Sequence, residues 1–148
     1  MHPFNVRVYG ILIHEGKILL SDEYFQKTFI TKFLGGGLQF GEGTMDCLRR
    51  EFKEELNLEI EIEKHFYTTD FFQPSAFDSS KQIISIYYLV KAVSELNIKT
   101  SDKKFDFPEL KNGIQSFRWI ELKKLTAGEM TFPIDKKVAG MISEKLNK

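Results

Sequence analysis

Three consecutive glycines, Gly35 to Gly37, stand just ahead of a segment with helical period that carries Glu51, Glu54 and Glu55. Glycine runs leave the backbone unrestrained, and like charges four apart on a helix repel by about a few tenths of a kcal/mol per pair. At about 100° per residue the three glutamates share about 100° of helical arc. Met45, Leu48, Phe52 and Leu56 form an apolar stripe centred about 115° round from them. One face is therefore expected in the core while its neighbour presents carboxylates. Asp46 has Arg49 and Arg50 at ion-pairing spacing, and Arg50 also reaches Glu54. Glu51 and Glu55, however, sit four apart and read as an unpaired acidic row that Glu59 extends. Acid in the C-terminal half of a helix also opposes its dipole. The residues alone leave two readings open: a solvated charged face, or carboxylates gathered for a hard divalent cation. A triple glycine alone is most simply a turn. Leading into such a helix, it also offers close backbone approach and N–H groups suited to phosphate.

Around this segment the chain reads as alternating strands and helices. "VYGILI" and "KILLS" are predicted strands joined by a turn at "HEGK", with Gly16 taking positive φ. "TFITKF" is predicted as extended, the glycines as a loop, and the helix as running from Thr44, as N-cap, to about Leu56. "LEIEIEKHFYTTDFF" alternates at period two, as a half-buried strand does. "QPSAFDSS" is predicted as a loop, "KQIISIYYLVKAV" as a strand, and residues 94–113 as a long loop of the kind that often carries function. "IQSFRWIEL" is the last expected strand and "ELKKLTAG" a short helix. An amphipathic helix follows, "PIDKKVAGMISEKL", with Pro133 just before it. About three helices mixed with strands, and no boundary, make one α/β domain over residues 1–148.

Composition narrows the function. Lys plus Arg total 21 and Asp plus Glu total 21, a net charge of zero, which argues against a nucleic-acid or membrane-surface binder. A small phosphorylated ligand needs only a local site and stays allowed. The single cysteine, Cys47, cannot form an internal disulfide, and the start "MHPFNVRVYG" has no signal-peptide pattern, so the chain reads as cytoplasmic. Apolar runs such as "IISIYYLV" are too short to span a bilayer. His2, His14 and His65 are scattered without metal-ligand spacing, and no histidine stands near Cys47 to activate it. Phe71, Phe72, Tyr87 and Trp119 could stack a base, although aromatics in strands are more often core.

The segment resembles the signature of the Nudix hydrolases: Gly, five residues, Glu, seven residues, Arg-Glu, an apolar residue, any residue, Glu-Glu, any residue, Gly, then an apolar residue. Here it runs Gly36, Glu42, Arg50, Glu51, Phe52, Glu54, Glu55, Asn57, Leu58. Asn57 replaces the last glycine, where Asn is the best tolerated substitute in a left-handed conformation. Leu34 stands where many members have proline. "VRVYGILIHEGKILL" and "FRWIELKKL" resemble the family's first strand pair and its late strand with short helix.

The resemblance implies an α/β/α sandwich with a mixed β-sheet between helices. It also implies hydrolysis of the pyrophosphate linkage in a nucleoside diphosphate derivative, such as ADP-ribose or a (d)NTP, with Mg²⁺ or Mn²⁺. Glu51, Glu54 and Glu55 would coordinate the metal, the Gly36 carbonyl would complete the shell, and Arg50 would orient the glutamates. Gly35, Gly36, Gly37, Glu42 and Phe72 would bind substrate. The general base would be Glu54, or an acid of the long loop, Asp102, Asp106 or Glu109. Pro74, sixteen residues past Leu58, inclines the comparison toward ADP-ribose-type members. The partner implied is a small nucleotide, with no nucleic acid or membrane, and a homodimer is compatible with the family. Two alternatives share the fold. A non-catalytic nucleotide-sugar binding module would commonly have an eroded signature, and an isoprenoid diphosphate isomerase would need a Cys or acid pair that Cys47 does not supply.

Overall fold

The structure, a computed structural model, describes residues 3–146, so His2 lies outside the described residues. The chain falls into two compact units. The first comprises the chain up to Leu12 together with Leu34–Leu96; the second comprises Ile13–Phe33 and the chain from Asn97.

In the first unit, strand β1 (Phe4–His14, here through Leu12) pairs antiparallel with β4 (Leu34–Gly37), in the register Val8↔Gly36. It pairs parallel with β6 (Gln82–Ala92), from Phe4↔Gln82 to Leu12↔Val90. Strand β5 (Ile60–Thr68) runs antiparallel to β6, giving a mixed sheet in the order β4-β1-β6-β5. A parallel pair needs a long crossover, and helix α1 (Thr44–Leu56) lies within it. Val8, Leu48, Phe52, Leu58 and Val90 are buried here. A Cβ on Gly10 would fall 2.6 Å from the Phe52 ring. The absence of a side chain at residue 10 is therefore what lets α1 seat Phe52 on the sheet.

In the second unit, β2 (Lys17–Phe25) is central. It pairs with β7 (Ile114–Glu121) from Lys17↔Glu121 to Tyr24↔Ile114, and with β3 (Thr28–Lys32) from Ser21↔Lys32 to Phe25↔Thr28. The turn into β2 has positive φ at both Glu15 and Gly16, the primed geometry whose twist suits a hairpin. Helix α2 (Pro133–Lys145) buries Ile134, Val138, Ala139 and Ile142 along one face.

Several expectations need correction. The glycine segment is not a loop but strand β4, because residues without side chains can still pair with the exposed edge of β1. Gly43, not Thr44, is the residue before α1; Thr44 is inside the helix, its hydroxyl 2.7 Å from that of Tyr88. The Asp46 carboxylate accepts the Gly43 N–H at 3.0 Å instead of pairing along the helix, satisfying one of the donors that a helix start leaves open. The buried stripe of α1 is Cys47, Leu48 and Phe52, while Met45 is 45% exposed. "ELKKLTAG" forms two 3-10 turns, Leu122–Lys124 and Ala127–Glu129, so the described residues hold two α-helices rather than three. Pro133 opens α2 as its first residue, where its missing N–H costs nothing. Register shifts at Ile62/Lys64 and His65/Tyr67 break the period-two alternation expected of β5.

Candidate active site

The site lies in the first unit, where β4 delivers the glycines and α1 the acids. Between them, residues 39–42 form a tight turn: the Glu42 N–H donates to the Gln39 carbonyl at 3.3 Å, and Gly41 takes φ +96. That φ at the third position of a turn favours glycine. The turn presents Glu42 to α1, where Arg50 grips it with two bonds, Nε to Oε2 at 2.9 Å and Nη2 to Oε1 at 2.7 Å. The third guanidinium nitrogen, Nη1, reaches Glu51 at 2.9 Å and Glu54 at 3.3 Å, and Nη2 also donates to the Gly37 carbonyl at 3.2 Å. One guanidinium thus ties the turn, the helix and the glycine strand together.

The acidic row is therefore not unpaired, as the spacing suggested. Arg50, shared with Glu42, also pairs with Glu51 and Glu54 from within the helix, and the exposed Lys53 pairs with Glu59 at 3.1 Å. The hydrogen bond from Arg50, aided by the Gln39 N–H, holds the Glu42 carboxyl down at about 2. Donating that bond to Glu42 pushes Arg50 above its ordinary value. Burial pushes the Cys47 thiol up to about 11. Its sulfur sits 3.5 Å from the Gly37 carbonyl, as a packed thiol and not a nucleophile.

Gly36 is in direct contact with the first glutamate: a Cβ there would lie 2.4 Å from the Glu51 carboxyl carbon. The Glu51 side chain is 14% exposed and that of Glu54 57%, while Glu55 is half-buried. Among the described residues, no three His, Cys, Asp or Glu side chains converge at metal-ligating distance. The donor chemistry nonetheless fits a hard cation, since carboxylates and a backbone carbonyl are the oxygen ligands such ions take. The absent side chain at Gly36 keeps that backbone against Glu51.

Other sequence candidates fall elsewhere. Phe72 stands 71% exposed and Phe71 38% exposed in the segment between β5 and β6, whereas Tyr87 is fully buried. Asp102, Asp106 and Glu109 belong to the second unit. Asp106 accepts the Ser101 hydroxyl at 2.6 Å, and Glu109 lies 3.5 Å from Lys111. His14 lies beside Trp119, and His65 bonds the Thr68 hydroxyl at 2.8 Å. Trp119 is half-buried on β7. No helix among the described residues is long and apolar enough to cross a membrane.

Arg7, Tyr9, Asp22 and Arg118 belong to no motif or spacing in the sequence, yet each makes a polar contact within its own unit. The usable signal was a charge, or a Tyr two residues from one, inside an otherwise apolar strand.

Comparison with solved structures shows the same fold at low identity. A NUDIX hydrolase from Nitrosomonas europaea is 20% identical with a TM-score of 0.69, covering 98% of this chain and 90% of its own. A MutT protein from Methanosarcina mazei Go1 is 19% identical with a TM-score of 0.68, covering 99% and 96%. An ADP-ribose pyrophosphatase from Streptococcus suis 89-1591 is 15% identical with a TM-score of 0.60, covering 97% and 92%. No curated protein matched the sequence. The mixed sheet with two α-helices agrees with these folds, and Glu42, Glu51 and Glu54 of the signature meet around Arg50. With the NUDIX domain family model matching residues 1–140, the chain belongs to the NUDIX family.

Proposed function

We propose that the chain hydrolyses the pyrophosphate linkage of a nucleotide sugar such as ADP-ribose, or of a (d)NTP, using Mg²⁺ or Mn²⁺. The observation that carries this reading is the contact of the Glu51 carboxylate with the Gly36 backbone, while Arg50 joins Glu42, Glu51 and Glu54. Glu51, Glu54 and Glu55, with the Gly36 carbonyl, would hold the cation. When bound, such a cation offsets phosphate charge and lowers the pKa of a water.

The chain's own residues have distinct tasks. Arg50 fixes the carboxylates, its position set by the two bonds to Glu42. Gly35, Gly36 and Gly37 form the strand beside the substrate, Gly35 packed on β1, Gly36 on Glu51 and Gly37 open to a phosphate, and Glu42 holds the turn beside them. Glu54, the more exposed acid, takes the proton of the attacking water. A P–O bond forms from that water and the bridging P–O bond breaks, leaving two phosphorylated products. Asp102, Asp106 or Glu109 would replace Glu54 as base only if the long loop reaches the substrate. Phe72, exposed and aromatic, is assigned to the nucleobase. The family match spans both compact units, which supports a single domain, and the lone cysteine supports a cytoplasmic setting.

A phosphate-release screen over dNTPs, ADP-ribose, other sugar nucleotides and dinucleoside polyphosphates, with Mg²⁺ or Mn²⁺, tests the reading. Turnover of at least one class is expected. Absence of turnover across the panel would sink it.

A further inference from the structure

The three glycines of β4 are present for different reasons. At Gly35 a Cβ would fall 1.9 Å from the Val8 carbonyl oxygen, so the strand pairing excludes any side chain. At Gly36 it would strike the Glu51 carboxyl. At Gly37 the nearest atom within 4 Å is Arg7 Nη1, at 3.8 Å, an ordinary contact, and φ is not in the left-handed region. Packing and backbone would both accept a side chain at residue 37. What it would occupy is the space beside a guanidinium.

Arg7 is held in that place. It stands opposite Gly37 in the β1–β4 register. Its Nε donates to the Tyr9 hydroxyl at 2.7 Å, and its guanidinium carbon lies 5.7 Å from the Tyr9 ring centre. Tyr9 stacks on its register partner Tyr87 at 5.3 Å, and Tyr87 lies 6.3 Å from Tyr67 of β5. The Tyr67 hydroxyl closes the row by donating to Asp70 at 2.5 Å. Tyr9, Tyr67 and Tyr87 are all buried. A guanidinium fixed by such a row loses little freedom on binding, and its planar fork matches phosphate oxygens. Consecutive strand residues point to opposite faces, so Gly36 meets Glu51 on one face and Gly37 meets Arg7 on the other.

We propose that Arg7 and the open backbone at Gly37 form a phosphate-oxygen subsite for the substrate, across β4 from Glu51. This rests on the hydrolase reading above and adds to it a positively charged contact outside the family signature. Arg7 binds a phosphate, and Tyr9 is its positioning residue.

Titration calorimetry of the full chain with inorganic pyrophosphate, ADP and adenosine, each with Mg²⁺ present, tests this. Arg7→Gln is expected to weaken pyrophosphate and ADP about ten- to a hundredfold and to leave adenosine unchanged. Arg7→Lys, which keeps the charge but not the fork, is expected to fall between. Gly37→Val is expected to weaken the same two ligands while melting close to wild type. Unchanged pyrophosphate binding in Arg7→Gln or in Gly37→Val overturns the proposal. A loss confined to adenosine does so too, because it would put the base, not a phosphate, at Arg7. Wild-type protein that binds pyrophosphate yet hydrolyses no nucleotide would instead reject the hydrolase reading and leave the subsite standing.

Discussion

Asp22 and Arg118 face each other across β2 and β7, joined by Nε to Oδ2 at 2.9 Å and Nη2 to Oδ1 at 3.2 Å, with the Asp22 side chain fully buried. Asp22 also accepts the Thr31 hydroxyl at 2.7 Å and the Phe105 N–H at 3.3 Å, and Arg118 reaches Glu129 at 3.0 Å. Removing one partner of a buried pair leaves the other charge uncompensated. Asp22→Leu is therefore expected to cost about 3–5 kcal/mol in urea denaturation. Asp22→Leu with Arg118→Met should recover much of that. Because the Phe105 N–H loses its acceptor in either variant, trypsin should cut faster at the exposed Lys103 and Lys104. A single variant as stable as the double would contradict the pairing argument.

The Glu42–Arg50 pair makes a pH prediction. Glu42 is held at about 2 in the folded chain, against an ordinary value of 4.5. A depressed carboxylate contributes stability that is fully present above its unfolded value and lost as pH falls through the folded one. Wild type should thus lose stability progressively from about pH 4.5 to about pH 2. Glu42→Gln should be less stable near neutrality, with a flatter profile over that window. Denaturant midpoints measured at stepped pH check this, and parallel profiles for the two proteins would count against it.

Much of the architecture was legible because turn chemistry and period-two runs reflect local preferences. The β1–β2 turn at "HEGK", strand β6 and helix α1 fall where the sequence put them. What escaped depends on partners distant in sequence. Gly35 to Gly37 have poor strand propensity, yet β1 supplies the ladder that makes them a strand. The turn at Gln26 and Lys27 has positive φ at both residues without a glycine, so it gave no signal. At the site, helical spacing showed that Arg50 reaches Glu54. It could not show Glu42 arriving from the turn to take two of the guanidinium's bonds. The same blindness hid Arg7 and Asp22, whose meaning lies in the strand beside them.

Asn57 ends α1 in the left-handed region, φ 50 and ψ 40, with its N–H donating to the Lys53 carbonyl at 2.9 Å. The departure from the family glycine is thus accommodated as expected. Ala there keeps the bond but lacks the tolerance of Asn for this conformation. Asn57→Ala should cost about 1 kcal/mol, and Asn57→Gly should be neutral or slightly stabilising. Thermal melts of the three proteins decide it; Ala melting above Gly would refute the account.

Glu51 and Glu54 share the Arg50 Nη1 but differ in surroundings, which separates structure from chemistry. Glu51 is 14% exposed and packs against Gly36, so Glu51→Gln removes charge from a closed contact. A bond to a charged group is worth about 1.5–3 kcal/mol, and that variant should lose stability as well as turnover. Glu54 is 57% exposed and its bond to Arg50 is the longer, at 3.3 Å. Exposed pairs contribute about 0–1 kcal/mol, so Glu54→Gln should melt near wild type. Its turnover, by contrast, should fall about 10²–10⁴-fold, as for loss of a general base. Melting temperature and kcat measured on the same preparations give the comparison. Should Glu54→Gln keep full turnover, the proton goes elsewhere, and Asp102, Asp106 and Glu109 become the next acids to replace.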